Sequence, residues 1–125
     1  MQQTFGEFIT EKRNQLGHKR IYVANKLGVS ATYVRDLEKG NRPAPHSELL
    51  LRLLSILEID RESAEFFYAL DLAAETRCDV PLDIKTFLIL NQDIFYKLLR
   101  KMNNGSISSD DIDVLKNSKF NRYDR

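Results

Sequence analysis

The stretch Arg20 to Gly40, RIYVANKLGVSATYVRDLEKG, constrains the fold more than any other part of the chain. A short helix ends at Leu27, because Gly28 can enter the left-handed conformation that stops a helix without a Cβ penalty. Val29 is the apolar link across the turn. Ser30 stands where an N-cap belongs, its hydroxyl free to accept from a backbone N–H two or three residues on. The next helix is expected over 31–39, ending at Gly40. Val23, Ala24 and Leu27 make one apolar stripe, and Val34 and Leu37 make another at spacing i, i+3. Ala24 supplies the small side chain that a steep helix crossing needs at its contact. These residues specify two short helices set at an angle by a tight turn.

With Phe8, Arg13 and Leu16 before it and Pro43, Leu50, Leu53, Leu54 and Leu57 after it, this block resembles the lambda repressor/Cro-like helix-turn-helix family, also called the XRE family. The matching positions inside the block are Val23-Ala24, Leu27-Gly28-Val29-Ser30, Tyr33-Val34 and Leu37-Glu38-Lys39-Gly40. The resemblance covers about residues 4–60, roughly half of the 125-residue chain. It implies an all-α fold: a five-helix lambda-repressor-like helix-turn-helix domain followed by a small helical C-terminal extension. It also implies that the chain binds double-stranded DNA, with the second motif helix in the major groove.

The rest of the chain reads as helix throughout. Thr4 with Glu7 forms a capping-box pattern, and Phe5, Phe8, Ile9 and Leu16 mark the buried face of a first helix. The prolines of 41–45 break the chain before a fourth helix over 47–57, with leucines at i, i+3, i+4 and i+7. A fifth is expected over 61–74, capped by Asp60. After the break at 78–81, Asp83 reads as a cap for a stripe of Ile84, Phe87 and Leu88. Asn91-Gln92 interrupts, and Phe95, Leu98, Leu99 and Met102 form the next stripe. A last short helix follows Ser108 or Ser109, and the polar tail from Asn117 to Arg125 is expected to fray. Domains are accordingly placed at 1–76 and 80–125. Residues 80–116, opening on Pro81-Leu82-Asp83-Ile84, also resemble the tail of some bacterial members of the same family.

Charge is distributed to suit a polyanion. The net charge is only +1, but residues 12–42 hold eight Lys/Arg against two acidic side chains, whereas residues 61–125 hold ten basic and eleven acidic. The positive excess therefore coincides with the motif. The single cysteine, Cys78, excludes an internal disulfide and suits a reducing compartment. No run approaches eighteen apolar residues, and MQQTFGEF has no signal-peptide pattern, so a cytoplasmic protein without membrane contact is expected.

The resemblance assigns positions on the DNA. Base contacts are expected from Ala31, Thr32, Tyr33, Arg35 and Asp36. Arg35 suits guanine, because its guanidinium fork matches O6 and N7 together. Asp36 either accepts from a cytosine or orients Arg35, and Tyr33 either meets DNA or packs on the first motif helix. Phosphate contacts are expected from Lys19, Arg20, Lys39, Asn41 and Arg42. Two departures from the family pattern stand out. Arg20 occupies the usual Gln position, and Lys19 replaces the usual capping Ser or Thr, while Ile21 and Tyr22 are unusually apolar. Glu38 is expected to pair with Arg13.

One unit reads too few base pairs for useful specificity, so a homodimer on a palindromic operator is expected, acting as a repressor. Phe66, Phe67, Phe95 and Leu99 are expected either at a dimer or partner interface or in the intramolecular core. An alternative is an antitoxin whose C-terminal helices bind a protein toxin while the N-terminal half autoregulates the operon. A phage-encoded regulator and a domain that serves only as an interaction scaffold are further readings. Catalysis is not expected: His18 and His46 lack metal-ligand spacing, Cys78 has no adjacent His and no basic neighbour except Arg77, and no phosphate loop is present. No cofactor or metal is called for.

Overall fold

Local sequence signals account for where most helices begin and end. The computed structural model describes residues 3–122 and contains eight helices and no strand among them. They are α1 (Phe5–Gln15), α2 (Arg20–Leu27), α3 (Ala31–Glu38), α4 (Ser47–Ile56), α5 (Ala64–Glu75), α6 (Leu82–Leu90), α7 (Gln92–Asn103) and α8 (Ser109–Asn117). Two compact units divide between Leu82 and Asp83.

In the first unit, α1 opens with the full capping box: Glu7 N donates to Thr4 Oγ1 and Thr4 N donates to the Glu7 carboxylate. Those bonds hold the Glu7 carboxyl below its ordinary value. α2 ends at Gly28, which takes φ 80°, and α3 starts at Ser30, whose Oγ accepts from Tyr33 N at 3.0 Å. The apolar stripes meet in one core built from Phe5, Phe8, Ile9, Val23, Ala24, Leu27, Val34, Leu37, Leu50, Leu53, Leu54, Leu57, Phe66 and Leu70. α3 packs on α1 and α2, α4 on α2, and α5 on α1. Arg52 Nη2 donates to the Leu27 carbonyl at 3.0 Å, so α4 satisfies an orphan acceptor at the end of α2. Within the 41–46 loop, Ala44 N donates to Thr76 Oγ1, fixing that loop to the end of α5.

Three expectations are corrected here. The cap of α5 is Ser63, whose Oγ accepts from Phe66 N, while Asp60 closes a turn by accepting from Glu62 N. The Arg61–Ser63 stretch is therefore a turn rather than the first turn of a helix. α6 begins at Leu82, so Asp83 lies inside its first turn and does not cap it. The tail does not fray over its described part. In the second unit Phe120 stacks on Phe95 with centroids 5.4 Å apart, and Asn121 is held by three hydrogen bonds to Asn91 and Leu90. Residues 123–125 lie outside the described residues. The same unit carries a second capping box, Ser108 with Asp111, and a Lys101–Asp111 pair at 2.9 Å. Lys101, with the Ser108 N–H, pulls the Asp111 carboxyl down to about 2.

Candidate nucleic-acid interface

The helix expected to read DNA is α3, and its position is fixed from the inside. Val34 and Leu37 are buried on one face, leaving Thr32 and Arg35 exposed on the other. At its C-terminal end Glu38 turns inward, its side chain only 2 % exposed. Two guanidiniums close on it. Arg13 from α1 binds it with both prongs, Nε to Oε2 at 2.6 Å and Nη2 to Oε1 at 3.0 Å. Arg20 from the start of α2 adds Nε to Oε1 at 2.8 Å. Arg13 Nη1 also donates to the His18 carbonyl at 2.9 Å. Burial on its own would raise the Glu38 pKa and is the largest single influence. The hydrogen bonds and charges of the two arginines together outweigh it, and the carboxyl stays below its ordinary value. One carboxylate thus ties α1, α2 and α3 together at the C-terminal end of α3.

The expected Arg13–Glu38 pair is present, and Arg20 joins it. Arg20 is therefore not a free cation reaching outward: its Nε is committed to Glu38, and its side chain keeps 38 % exposure. A sequence reading could not place it there, since the partner lies 18 residues away and is reached only when α2 crosses α3.

Gly6 is a residue the sequence reading passed over. It lies inside α1 and is buried. A Cβ there would collide with the Glu38 carbonyl oxygen and meet the Leu37 carbonyl oxygen at 2.7 Å. α1 therefore runs directly against the backbone at the end of α3. The signal available was a glycine inside a helical stripe, which weakens a helix unless close approach requires it.

The other expected contact residues take several environments. Thr32, Arg35, Lys39, Asn41, Arg42 and Lys19 are exposed. Ala31 and Tyr33 are half-buried against the core, and Asp36 is half-buried. Arg42 lies over the Tyr33 ring, 5.0 Å from guanidinium carbon to centroid. Burial raises the Tyr33 pKa, and the Arg42 charge only partly offsets this. Arg35 approaches Asp36 at 3.8 Å with more than half of its own side chain exposed, a loose pair that leaves the fork free to turn outward. Lys19 is the N-cap of α2 and makes no side-chain cap bond. Tyr22 stacks on His18 at 4.0 Å with Lys26 5.7 Å from its ring, and Ile21 remains 52 % exposed.

Among the four residues expected at an interface or in the core, Phe66 is 5 % exposed and belongs to the core of the first unit. Phe95 is half-buried between Phe87 and Phe120, and Phe67 and Leu99 are exposed. Among the described residues, no group of three or more His, Cys, Asp or Glu side chains is arranged to hold a metal ion. Nor is any helix among them long and apolar enough to cross a membrane.

An exposed polar helix held at a fixed angle by a buried partner, with cations on the flanking turns, defines a DNA-binding helix-turn-helix unit. The helix-turn-helix family model matches residues 9–62, and this segment is a domain of the lambda repressor/Cro-like, or XRE, kind. The chain carries the DNA-binding domain of a transcription regulator. No curated protein and no solved structure matches the chain.

Proposed function

We propose that the chain is a sequence-specific repressor that binds a palindromic operator as a homodimer. The observation that carries this reading is the outward face of α3: Thr32 and Arg35 project from a helix whose opposite side is locked by core packing and by the Glu38 triad. Arg35 reads a guanine edge, Thr32 meets a base or a thymine methyl, and Asp36 orients Arg35. Lys19, Lys39, Asn41 and Arg42 hold phosphates and set the register without reading sequence. Arg20 takes a phosphate only through its Nη groups, because Nε is given to Glu38. Tyr33 acts mainly as a platform for Arg42. Repression follows from a small DNA-binding unit occluding polymerase.

Selection of binding sites from random duplexes tests the reading. The expected product is a two-fold symmetric site with half-sites about 10 base pairs apart, bound in a strongly salt-dependent way. A protein that shows no salt-sensitive association with any duplex is not a DNA-binding regulator. An asymmetric single half-site removes the homodimer.

A further inference from the structure

Within the second unit, one buried polar side chain makes two of its three hydrogen bonds to the backbone of a distant segment. Asn91 is 1 % exposed and sits between α6 and α7. Its Nδ2 donates to the Phe87 carbonyl at 2.9 Å, which fixes the orientation of the carboxamide. The remaining donor and the acceptor then face residue 121: Nδ2 donates to the Asn121 carbonyl at 2.9 Å, and Asn121 N donates to Oδ1 at 2.7 Å. A carboxamide that pairs with both the N–H and the C=O of one residue reads extended main chain independently of side-chain identity. Two neighbouring positions add selectivity. Phe120 lies between Phe95, stacked at 5.4 Å and 17°, and Phe87, tilted at 5.7 Å. The Asn121 side chain donates to the Leu90 carbonyl at 3.3 Å.

The segment making these contacts has neither helix nor strand from residue 118 to 122. Its Ser118 is extended, φ −82° and ψ 147°, just past the end of α8. It packs on Phe87, Asn91 and Phe95 as a bound peptide packs on a receptor, an aromatic anchor followed by a residue clasped at its main chain.

We propose that Phe87, Asn91 and Phe95 form a peptide-binding site for an extended segment of a partner protein, one with an aromatic residue followed by an amide-bearing residue. Residues 119–122 of this chain occupy that site in cis and compete with the partner. The site is independent of the DNA-binding reading, since every residue in it lies beyond residue 82. A tethered segment acts at high effective concentration, so only a partner of matching chemistry displaces it.

The test uses the full chain carrying Phe120→Ala, which removes the anchor but leaves Phe87, Asn91 and Phe95. The probe is a labelled synthetic peptide with the sequence of residues 118–122, followed by fluorescence anisotropy. Saturable binding to the variant is expected. Binding to the unaltered chain is expected to be at least roughly ten-fold weaker, because the tethered segment competes. A probe with Ala in place of its Phe should also bind at least roughly ten-fold more weakly. Absence of saturable binding to a folded variant, or equal binding of the Ala probe, overturns the proposal. A second measurement decides the matter even where circular dichroism shows that Phe120→Ala unfolds α6–α8. In the unaltered, isotope-labelled chain, the Asn91 side-chain NH2 resonances should shift with excess Phe-bearing probe and stay still with the Ala probe. If they stay still with both, the tail is a permanent part of the core and the site does not exist.

Discussion

Glu38 is where three helices converge on one atom pair, and it shows how far residue-level reasoning reaches. Its pairing with Arg13 was legible from the helix-turn-helix resemblance. The addition of Arg20 was not, because a charge pattern carries no information about which side of a helix crossing a side chain falls on. Glu38→Gln leaves two guanidiniums closing on a neutral group, and breaking such a buried cluster should destabilise the domain by about 3 kcal/mol at neutral pH. The pH dependence has a definite sign. The folded-state pKa of Glu38 is lowered, so its contribution is fully present above the ordinary carboxylate value, about 4.3, and is lost as pH falls through the lower folded value. Thermal unfolding of the two proteins should therefore differ most at neutral pH and converge on acidification below about pH 4. A constant gap down to acid pH would show that the carboxylate charge is not what holds the triad. The exposed arginines allow a second contrast. Arg35→Ala should relax discrimination at one base pair by about 1–3 kcal/mol. Arg42→Ala should weaken binding on all sequences alike and lower the salt slope by about one unit. Competition titrations over single-base operator variants and a salt series separate the two, and identical behaviour would contradict the division into reader and phosphate grip.

At the scale of elements, caps and stripes predicted α1 to α4 closely, because these helices are specified by residues within four positions of one another: Thr4 with Glu7, Ser30 with Tyr33, the leucine ladder of α4. The errors arose where two local signals competed or where the determinant was distant. Asp60 and Ser63 both suit an N-cap, and Asp60 instead closes the preceding turn. The tail reads as polar and loose, but its anchors, Phe87, Asn91 and Phe95, lie some 30 residues earlier. The close approach of the α1 and α3 backbones was likewise hidden, since its only sequence mark is a glycine. It also supplies a sharp prediction. Gly6→Ala would favour α1 by helix propensity, yet the new methyl meets main-chain oxygens of residues 37 and 38 that have no rotamer to escape into. Separation of α1 from α3 should dominate, with a loss of about 1–3 kcal/mol in denaturant unfolding and weaker operator binding from a displaced α3. An unchanged or raised stability would mean that the two helices slide apart freely and that α3 is not held from behind.

For the whole molecule, the main question is which surface brings two recognition helices together. All the residues of the principal core lie at or before position 82, so the first unit possesses the packing it needs to fold without residues 83–125. The second unit leaves Ile84, Ile89, Leu99 and Met102 exposed, the last by 58 %, and among its described residues only Leu98 and Asn91 are buried below a tenth. So much apolar surface over so few residues supports a protein contact there. A chain cut after Leu82 should then be helical and cooperative in unfolding, monomeric by sedimentation, and weaker on a two-half-site operator by roughly a hundred-fold or more, because the second half-site is no longer delivered at high effective concentration. Its affinity for an isolated half-site should be unchanged, since α3 and its cations are intact. If instead the shortened chain remains a dimer with full operator affinity, the pairing surface belongs to the first unit. The exposed Ile21 and Tyr22 at the start of α2, apolar where this family is normally solvated, are then the side chains to replace next.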